Sequence, residues 1–151
     1  MEIAIGCDEA AFELKEIIKQ HLADKGLAVT DFGTYDRQPV IYPDIAFAVA
    51  EAVMEHRFSR AILLCGTGIG MAISANKVPG MRAAQCHDTY SAERASKSNN
   101  AQIITLGARV VGPELAKSIV DTWLSSEFSG GRSESKLNRI REYESSLQKQ
   151  K

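Results

Sequence analysis

The feature that most constrains the fold is a repeated alternation between short apolar runs and longer amphipathic runs. The short runs have the length and apolar character of β-strands and cover residues 3–7, 27–32, 61–65, 82–86 and 102–106. Helical spacing and helix-end signals predict helices over residues 11–25, 43–55, 71–76, 89–98 and 112–125. This alternation predicts an α/β fold with a parallel sheet and right-handed crossover connections.

Composition excludes several classes of protein. The chain has 151 residues, of which 44% are hydrophobic and 25% charged, which is typical of one globular domain with a core. A formal charge of −1 argues against a basic surface for nucleic acid or membranes, and we expect neither as a partner. No apolar run has the length of a membrane span, and no signal peptide is visible. Three widely spaced cysteines predict neither a disulfide framework nor a metal site, so we expect a cytoplasmic protein.

Parallel α/β sheets bind ligands beyond the carboxyl ends of their strands. The most informative segment at such a position is Cys65-Gly-Thr-Gly-Ile-Gly70, which lacks the lysine of a phosphate-binding P-loop and the glycine spacing of a dinucleotide site. Its alternating glycines expose backbone N–H groups that can hold an anion or a developing oxyanion. Cys65 is therefore either a reactive thiol facing this loop or a small hydrophobic residue of the core.

The C-terminal stretch differs from the rest of the chain. After a break at Gly130 and Gly131, residues 132–151 are highly charged and carry only a narrow apolar stripe. Such a stripe is too thin for a solitary helix, so we expect it to pack on a partner subunit; the alternative is a solvated helix on its own subunit. We accordingly divide the single domain into residues 1–128 and a C-terminal dimerisation helix and tail, residues 129–151.

Eight motifs occur in a characteristic order along nearly the whole chain. They are Gly6-Cys-Asp8, Asp31-Phe-Gly-Thr34, Tyr42-Pro43, Cys65-Gly-Thr-Gly-Ile-Gly70, Ala75-Asn-Lys77, Ser91-Ala92, Leu106-Gly-Ala-Arg-Val-Val-Gly112 and Gly130-Gly-Arg132. In this order the sequence resembles the type B ribose-5-phosphate isomerases, a family that includes the galactose-6-phosphate isomerase subunits. The resemblance implies a three-layer, Rossmann-like fold with five parallel strands. It also implies a homodimer or homotetramer with shared active sites, which isomerises a phosphorylated sugar without metal or other cofactor.

The resemblance also implies roles for individual residues. Cys65 matches the base that moves a proton between C1 and C2 through a cis-enediol, as in the conversion of ribose 5-phosphate to ribulose 5-phosphate. Thr67 and the loop amides match the group that stabilises the enediolate oxygen. The remaining matches are Gly66, Gly68 and Gly70 in the loop, Asp8, Tyr42 and Asn99 around the sugar, and Arg109, Lys136 and the partner subunit's Arg132 at the phosphate.

Four positions depart from the family pattern, and two of them lie in the tail, where Ser133 stands in place of a frequent histidine and Lys136 in place of an arginine. Glu9 and Ser98 stand where the family usually has histidines, the second of which assists opening of the sugar ring. Ser98 is a poor proton shuttle, and Glu9 is either a carboxyl group that can shuttle protons or a solvated carboxylate at a helix start. His87 matches neither position, and we expect a structural role for it.

These departures leave two further hypotheses open. The substrate can be a tetrulose 4-phosphate, converted between erythrulose 4-phosphate and erythrose 4-phosphate. Such a sugar needs no ring opening, because its terminal hydroxyl is esterified and cannot close a furanose. The other alternative is a non-catalytic protein that binds sugar phosphates.

Overall fold

The computed structural model describes residues 1–150 and contains the predicted sheet. Its strands are β1 (Glu2–Cys7), β2 (Ala28–Asp31), β3 (Arg60–Cys65), β4 (Ala83–Gln85) and β5 (Ile103–Gly107). All pair in parallel, in the order β2-β1-β3-β5-β4. The five-stranded parallel sheet is thus confirmed, and every strand boundary lies within one residue of its predicted position.

Six α-helices connect and flank the strands. They are α1 (Phe12–Asp24), α2 (Tyr42–Met54), α3 (Ile69–Ala75), α4 (Thr89–Lys97), α5 (Pro113–Leu124) and α6 (Glu134–Gln148). Helix α3 begins two residues earlier than predicted, because Gly68 adopts a left-handed conformation with φ of 79° and turns the chain directly into the helix. Across residues 1–150, no helix has both the length and the apolar character needed to cross a membrane.

Two apolar clusters lie on opposite faces of the sheet and give the molecule three layers. One cluster joins the sheet to α1, α4 and α5, and the other joins it to α2 and α3. Strand β3 contributes to both, since Ile62 and Leu64 face the first cluster and Leu63 and Cys65 the second, as its continuous apolar run indicates. The helical spacing of residues 112–125 predicts Leu115, Ile119, Val120 and Trp123 on the inner face. The last three are buried, but Leu115 is exposed and its neighbour Ala116 occupies the buried position.

The C-terminal helix α6 contacts its own subunit. Leu137 is buried, and the Glu144 carboxylate accepts a hydrogen bond of 2.9 Å from the Gly80 amide. Ile140, Tyr143 and Leu147 remain exposed on the same helix. The structure thus supplies part of the packing that the sequence led us to expect from a partner, and packing of the exposed residues on a second subunit stays a prediction. The division at residue 128 likewise stays a prediction.

A buried lysine was not predicted from the helical spacing of α1. Lys15 has no exposed surface, and its ammonium group lies 2.7 and 2.8 Å from the two carboxylate oxygens of Asp31. It also donates to the Thr34 carbonyl, while Lys19 donates to Asp31 at 2.8 Å. Burial pushes the pKa of Asp31 up, but the hydrogen bonds from both lysines outweigh it and hold the pKa below its ordinary value. This ion pair fixes α1 to the end of β2.

Replacing Asp31 by asparagine therefore leaves a buried ammonium group without its counterion. We expect Asp31→Asn to lower the free energy of unfolding by about 3–5 kcal/mol, measured by urea denaturation at pH 7. Glu16→Gln is the matched control, because Glu16 lies 3.6 Å from Lys15 but its side chain is 44% exposed. We expect this control to cost less than about 1 kcal/mol. Equal unfolding midpoints for the two variants would contradict the role given to Asp31.

Candidate active site

Four chain segments bring polar groups together at the carboxyl edge of the sheet. Asp8 follows β1, Cys65 ends β3, and Arg109 follows β5. Tyr42 begins α2, which enters this edge after the loop that follows β2. The parallel sheet thus gathers residues that are more than a hundred positions apart in the sequence, as expected for ligand-binding groups in such folds.

Cys65 lies at the start of the glycine loop, and its side chain accepts a hydrogen bond from the loop backbone. The Gly68 amide donates a hydrogen bond of 3.1 Å to the Cys65 sulfur, and only 5% of Cys65 is exposed. The sulfur atom thus has a backbone N–H donor of the loop as its partner. The Thr67 hydroxyl oxygen accepts from the Ile69 amide at 3.2 Å, which leaves the hydroxyl proton free for an oxygen of a bound molecule.

The other two cysteines are unsuited to acid–base chemistry. Cys7 and Cys86 are buried, and burial raises the pKa of both thiols to about 12. Both stay protonated near neutral pH and behave as small apolar residues of the core.

Two of the loop glycines are contact points for larger side chains. A Cβ atom at Gly66 would lie 3.4 Å from a terminal nitrogen of Arg109, and a Cβ atom at Gly70 would overlap the phenol group of Tyr42. The Arg109 guanidinium and the Tyr42 ring therefore lie directly on the loop that begins at Cys65. The Asp8 carboxyl is close to the same guanidinium: burial and the neighbouring Glu9 charge raise the pKa of Asp8, and the charge of Arg109 opposes them.

Glu9 is the first residue of a short 3₁₀-helix, which agrees with the helix-start position expected from the sequence, and its role as a proton shuttle stays a prediction. Its carboxylate accepts a hydrogen bond of 3.2 Å from the Val40 amide, in the loop that leads to Tyr42. Glu9 is half-buried and ties this loop to the end of β1. At the position where the family usually has a histidine, Glu9 thus binds the loop that precedes α2.

A second group of predicted site residues lies at the opposite edge of the sheet. Ser98 and Asn99 form the connection from α4 into the start of β5, where the Asn99 carbonyl accepts from Arg82 Nε at 3.1 Å. Arg132 and Lys136 begin the C-terminal segment, which is fixed to the same edge by a 3.1 Å hydrogen bond from the Ser129 amide to the Lys97 carbonyl.

The two groups are separated by the length of a strand. Strand β5 has five residues, which at about 3.3 Å per residue puts the two edges about 16 Å apart. A cavity of about 380 Å³ at the amino edge is lined by Asn99, Leu137 and Ile140 but not by Cys65. Within one chain, the structure does not bring Ser98, Asn99, Arg132 or Lys136 to the thiol.

Three residues that contact the loop or its support were not singled out as site residues. Gln85 donates to the Thr67 carbonyl and Thr105 to the Gly68 carbonyl, each at 2.7 Å, while His87 Nε2 accepts from the Gly107 amide at 3.1 Å. Thr105 could have been singled out from the sequence, because it is the polar residue of an otherwise apolar strand. No feature of the sequence singles out Gln85. The structural role expected for His87 fits its contact with the end of β5.

A thiol, a free hydroxyl proton, backbone amides and an arginine thus meet at the carboxyl edge of a parallel sheet. Within residues 1–150, no group of three or more His, Cys, Asp or Glu side chains is placed to hold a metal ion. The fold and this site define a class of α/β proteins that perform acid–base chemistry on an anionic molecule.

The comparison with known proteins identifies the family within this class. Residues 3–140 match the family model described as Ribose/Galactose Isomerase, and the chain belongs to this family. It is 56% identical over 142 residues to a ribose-5-P isomerase B of Listeria innocua, covering 94% of this chain and 96% of that protein. It is 59% identical over 146 residues to a D-erythrulose-4-phosphate isomerase of Pectobacterium atrosepticum, covering 95% of each.

Solved structures agree with this family assignment. The structure of ribose-5-phosphate isomerase B from Clostridium thermocellum superimposes with a TM-score of 0.95 at 47% identity. The match covers 97% of this chain and 99% of that one, so the whole fold is shared rather than a sheet alone.

Proposed function

We propose that this chain is an aldose–ketose isomerase of phosphorylated sugars and that Cys65 is its base. The observation that carries the proposal is the hydrogen bond from the Gly68 amide to the Cys65 sulfur, in a loop that also leaves the Thr67 hydroxyl proton free. A base with a neighbouring oxyanion site is what enolisation next to a carbonyl group requires. A protein that only binds sugar phosphates has no use for this pairing, which counts against the non-catalytic alternative.

The reaction is a proton transfer between two carbon atoms. The Cys65 thiolate removes the proton from the carbon next to the carbonyl group, and the electron pair moves onto the carbonyl oxygen to give an enediolate. The Thr67 hydroxyl and the loop amides at Gly66, Gly68 and Gly70 surround the position of this oxygen. The enediolate oxygen takes up the proton of the neighbouring hydroxyl group, and Cys65 returns its proton to the former carbonyl carbon. The second oxygen thereby becomes the carbonyl oxygen, which converts the aldose into the ketose or the reverse.

The phosphate and the remaining sugar hydroxyls are assigned to two subunits. Asp8, Tyr42 and Arg109 lie beside the Cys65 loop of their own chain. Asn99, Arg132 and Lys136 lie at the opposite edge, so in this proposal they reach the thiol of a second copy. Arginine suits phosphate because its planar donors pair with two oxygens at once. The exposed apolar residues of α6 support a homodimer with two shared sites.

A shared site can be tested by mixing two inactive variants. Cys65→Ala removes the base, and Arg132→Ala removes a phosphate ligand that belongs to the other subunit's site. Random reassembly of the two variants after mild unfolding places one intact site in each mixed dimer, and we expect about a quarter of wild-type activity to return. The control mixes Cys65→Ala with the double variant Cys65→Ala/Arg132→Ala, which contains no intact site. Lack of recovery in the first mixture would contradict the shared site.

Two substrate pairs are candidates. Family membership supports ribose 5-phosphate and ribulose 5-phosphate as the first pair. The second pair, erythrulose 4-phosphate and erythrose 4-phosphate, is favoured by a specific observation. Glu9 accepts a hydrogen bond from the Val40 amide, and the Ser98 hydroxyl accepts one from Arg94, so neither position carries the imidazole that assists ring opening in the family. A tetrulose 4-phosphate cannot form a furanose, so its isomerisation needs no proton shuttle for ring opening.

Restoring the missing imidazole separates the two candidates. We expect the wild-type kcat/KM for erythrulose 4-phosphate to exceed that for ribose 5-phosphate by about a hundredfold, the usual contribution of a general acid–base group. We expect Ser98→His to raise kcat/KM for ribose 5-phosphate and to leave the four-carbon reaction unchanged. Ser91→His is the matched control for adding an imidazole to the other end of α4. Selective wild-type turnover of ribose 5-phosphate would instead identify the first pair.

We also assign the reaction to the cytoplasm. Cys65 acts only as a free thiol or thiolate, and all three cysteines are free in the structure. The cytoplasm keeps such groups reduced, whereas oxidising compartments do not.

A further inference from the structure

Two polar side chains of the neighbouring strands donate hydrogen bonds to backbone carbonyl groups of the glycine loop. They are Gln85, the last residue of β4, and Thr105, in the middle of β5. We propose that both are positioning residues, which aim two backbone amides of the loop at Cys65 and Thr67. The inference rests on the proposed role of Cys65 and adds residues that do not touch the substrate.

Gln85 acts on the peptide unit between Thr67 and Gly68. Its side-chain amide donates to the Thr67 carbonyl at 2.7 Å. In a trans peptide the carbonyl and the N–H point in opposite directions, so a carbonyl held towards β4 turns the Gly68 N–H away from it. That N–H donates to the Cys65 sulfur at 3.1 Å. Gln85 and Cys65 thus bind the same peptide unit, Gln85 at its carbonyl oxygen and Cys65 at its N–H group.

Thr105 acts on the next peptide unit, between Gly68 and Ile69. Its hydroxyl is fully buried and donates to the Gly68 carbonyl at 2.7 Å. The Ile69 N–H of the same unit donates to the Thr67 hydroxyl oxygen at 3.2 Å. This bond directs the proton of the Thr67 hydroxyl away from the loop, towards the space beside the thiol.

The loop can take this path only because its contact points are glycines. Gly68 has a positive φ, and a Cβ atom there would lie 3.0 Å from the Leu106 carbonyl carbon. A Cβ atom at Gly107 would lie 2.6 Å from Cα of Thr67. Glycines at Gly68 and Gly107 thus let the loop backbone lie directly against β5. The Ala72 amide of α3 also donates to the Gly68 carbonyl, at 3.1 Å, and the two side-chain donors add to this backbone support.

The test uses variants that remove each donor with little change in shape. Gln85→Met keeps a straight side chain at an exposed position, and Thr105→Val keeps a β-branched one in the strand. Thr105→Ser retains the hydroxyl and is the conservative rescue. Gln102→Met is the matched control, because the Gln102 amide also donates to a backbone carbonyl, that of Gly80, but at the amino edge of the sheet.

The first readout is the rate of Cys65 alkylation by iodoacetamide at pH 7, with the modified residue located by mass spectrometry. Only the thiolate is alkylated, and mass spectrometry separates Cys65, which is 5% exposed, from the less exposed Cys7 and Cys86, so the rate at this residue reports its thiolate population. We expect Gln85→Met and Thr105→Val each to slow alkylation about fivefold, the effect of losing one hydrogen bond. We expect Thr105→Ser and Gln102→Met to react at the wild-type rate.

The second readout is steady-state kinetics on whichever phosphosugar the wild-type enzyme converts. We expect kcat to fall about tenfold in Gln85→Met and Thr105→Val with KM unchanged, because the lost interactions act on the reacting groups. Wild-type alkylation rates in both variants, with only a lower urea midpoint, would overturn the positioning role. Alkylation requires no substrate. Failure of the wild-type chain to convert any phosphosugar would therefore contradict the proposed function and leave this measurement intact.

Discussion

The orientation of the backbone between Cys65 and Ile69 is the constraint on which the rest of the site depends. Four successive carbonyl groups, from Cys65 to Gly68, accept hydrogen bonds from β4, β5 or the segment that follows β5. Since the N–H groups of trans peptides point the opposite way, the Gly68 and Ile69 amides face the thiol and the Thr67 hydroxyl. The sheet thereby fixes the two amides on which the proposed acid–base role of Cys65 rests.

The same sheet separates the predicted site residues of one chain into two groups. Parallel strands put the glycine loop, Asp8, Tyr42 and Arg109 at one edge and the connection into β5 at the other. Within one subunit, Asn99 and Arg132 lie about the length of a strand away from the loop. In the homodimer that we propose, a second copy presents its amino edge to the first, and the symmetric contact completes two sites at once.

Local patterns in the sequence were sufficient to predict the strands and the carboxyl-edge site. The apolar run at 61–65 and the glycines that follow it predicted a doubly buried strand and its loop, because both depend on near neighbours in the sequence. Contacts between distant segments were not predictable in this way. Lys15 was not expected to be buried, since its burial depends on Asp31 and Thr34 across the sheet edge. The contact between Glu9 and the Val40 amide was not predictable for the same reason.

The central claim is that Cys65 moves a proton between two adjacent carbon atoms, and solvent isotope incorporation tests it most directly. Isomerisation of the ketose phosphate is run in D₂O, and the aldose product is analysed by mass spectrometry and NMR. We predict that the product carries solvent deuterium at C2, because the thiol exchanges its proton before returning it, and that Cys65→Ala forms no labelled product. Formation of the aldose by Cys65→Ala at the wild-type rate would contradict the claim.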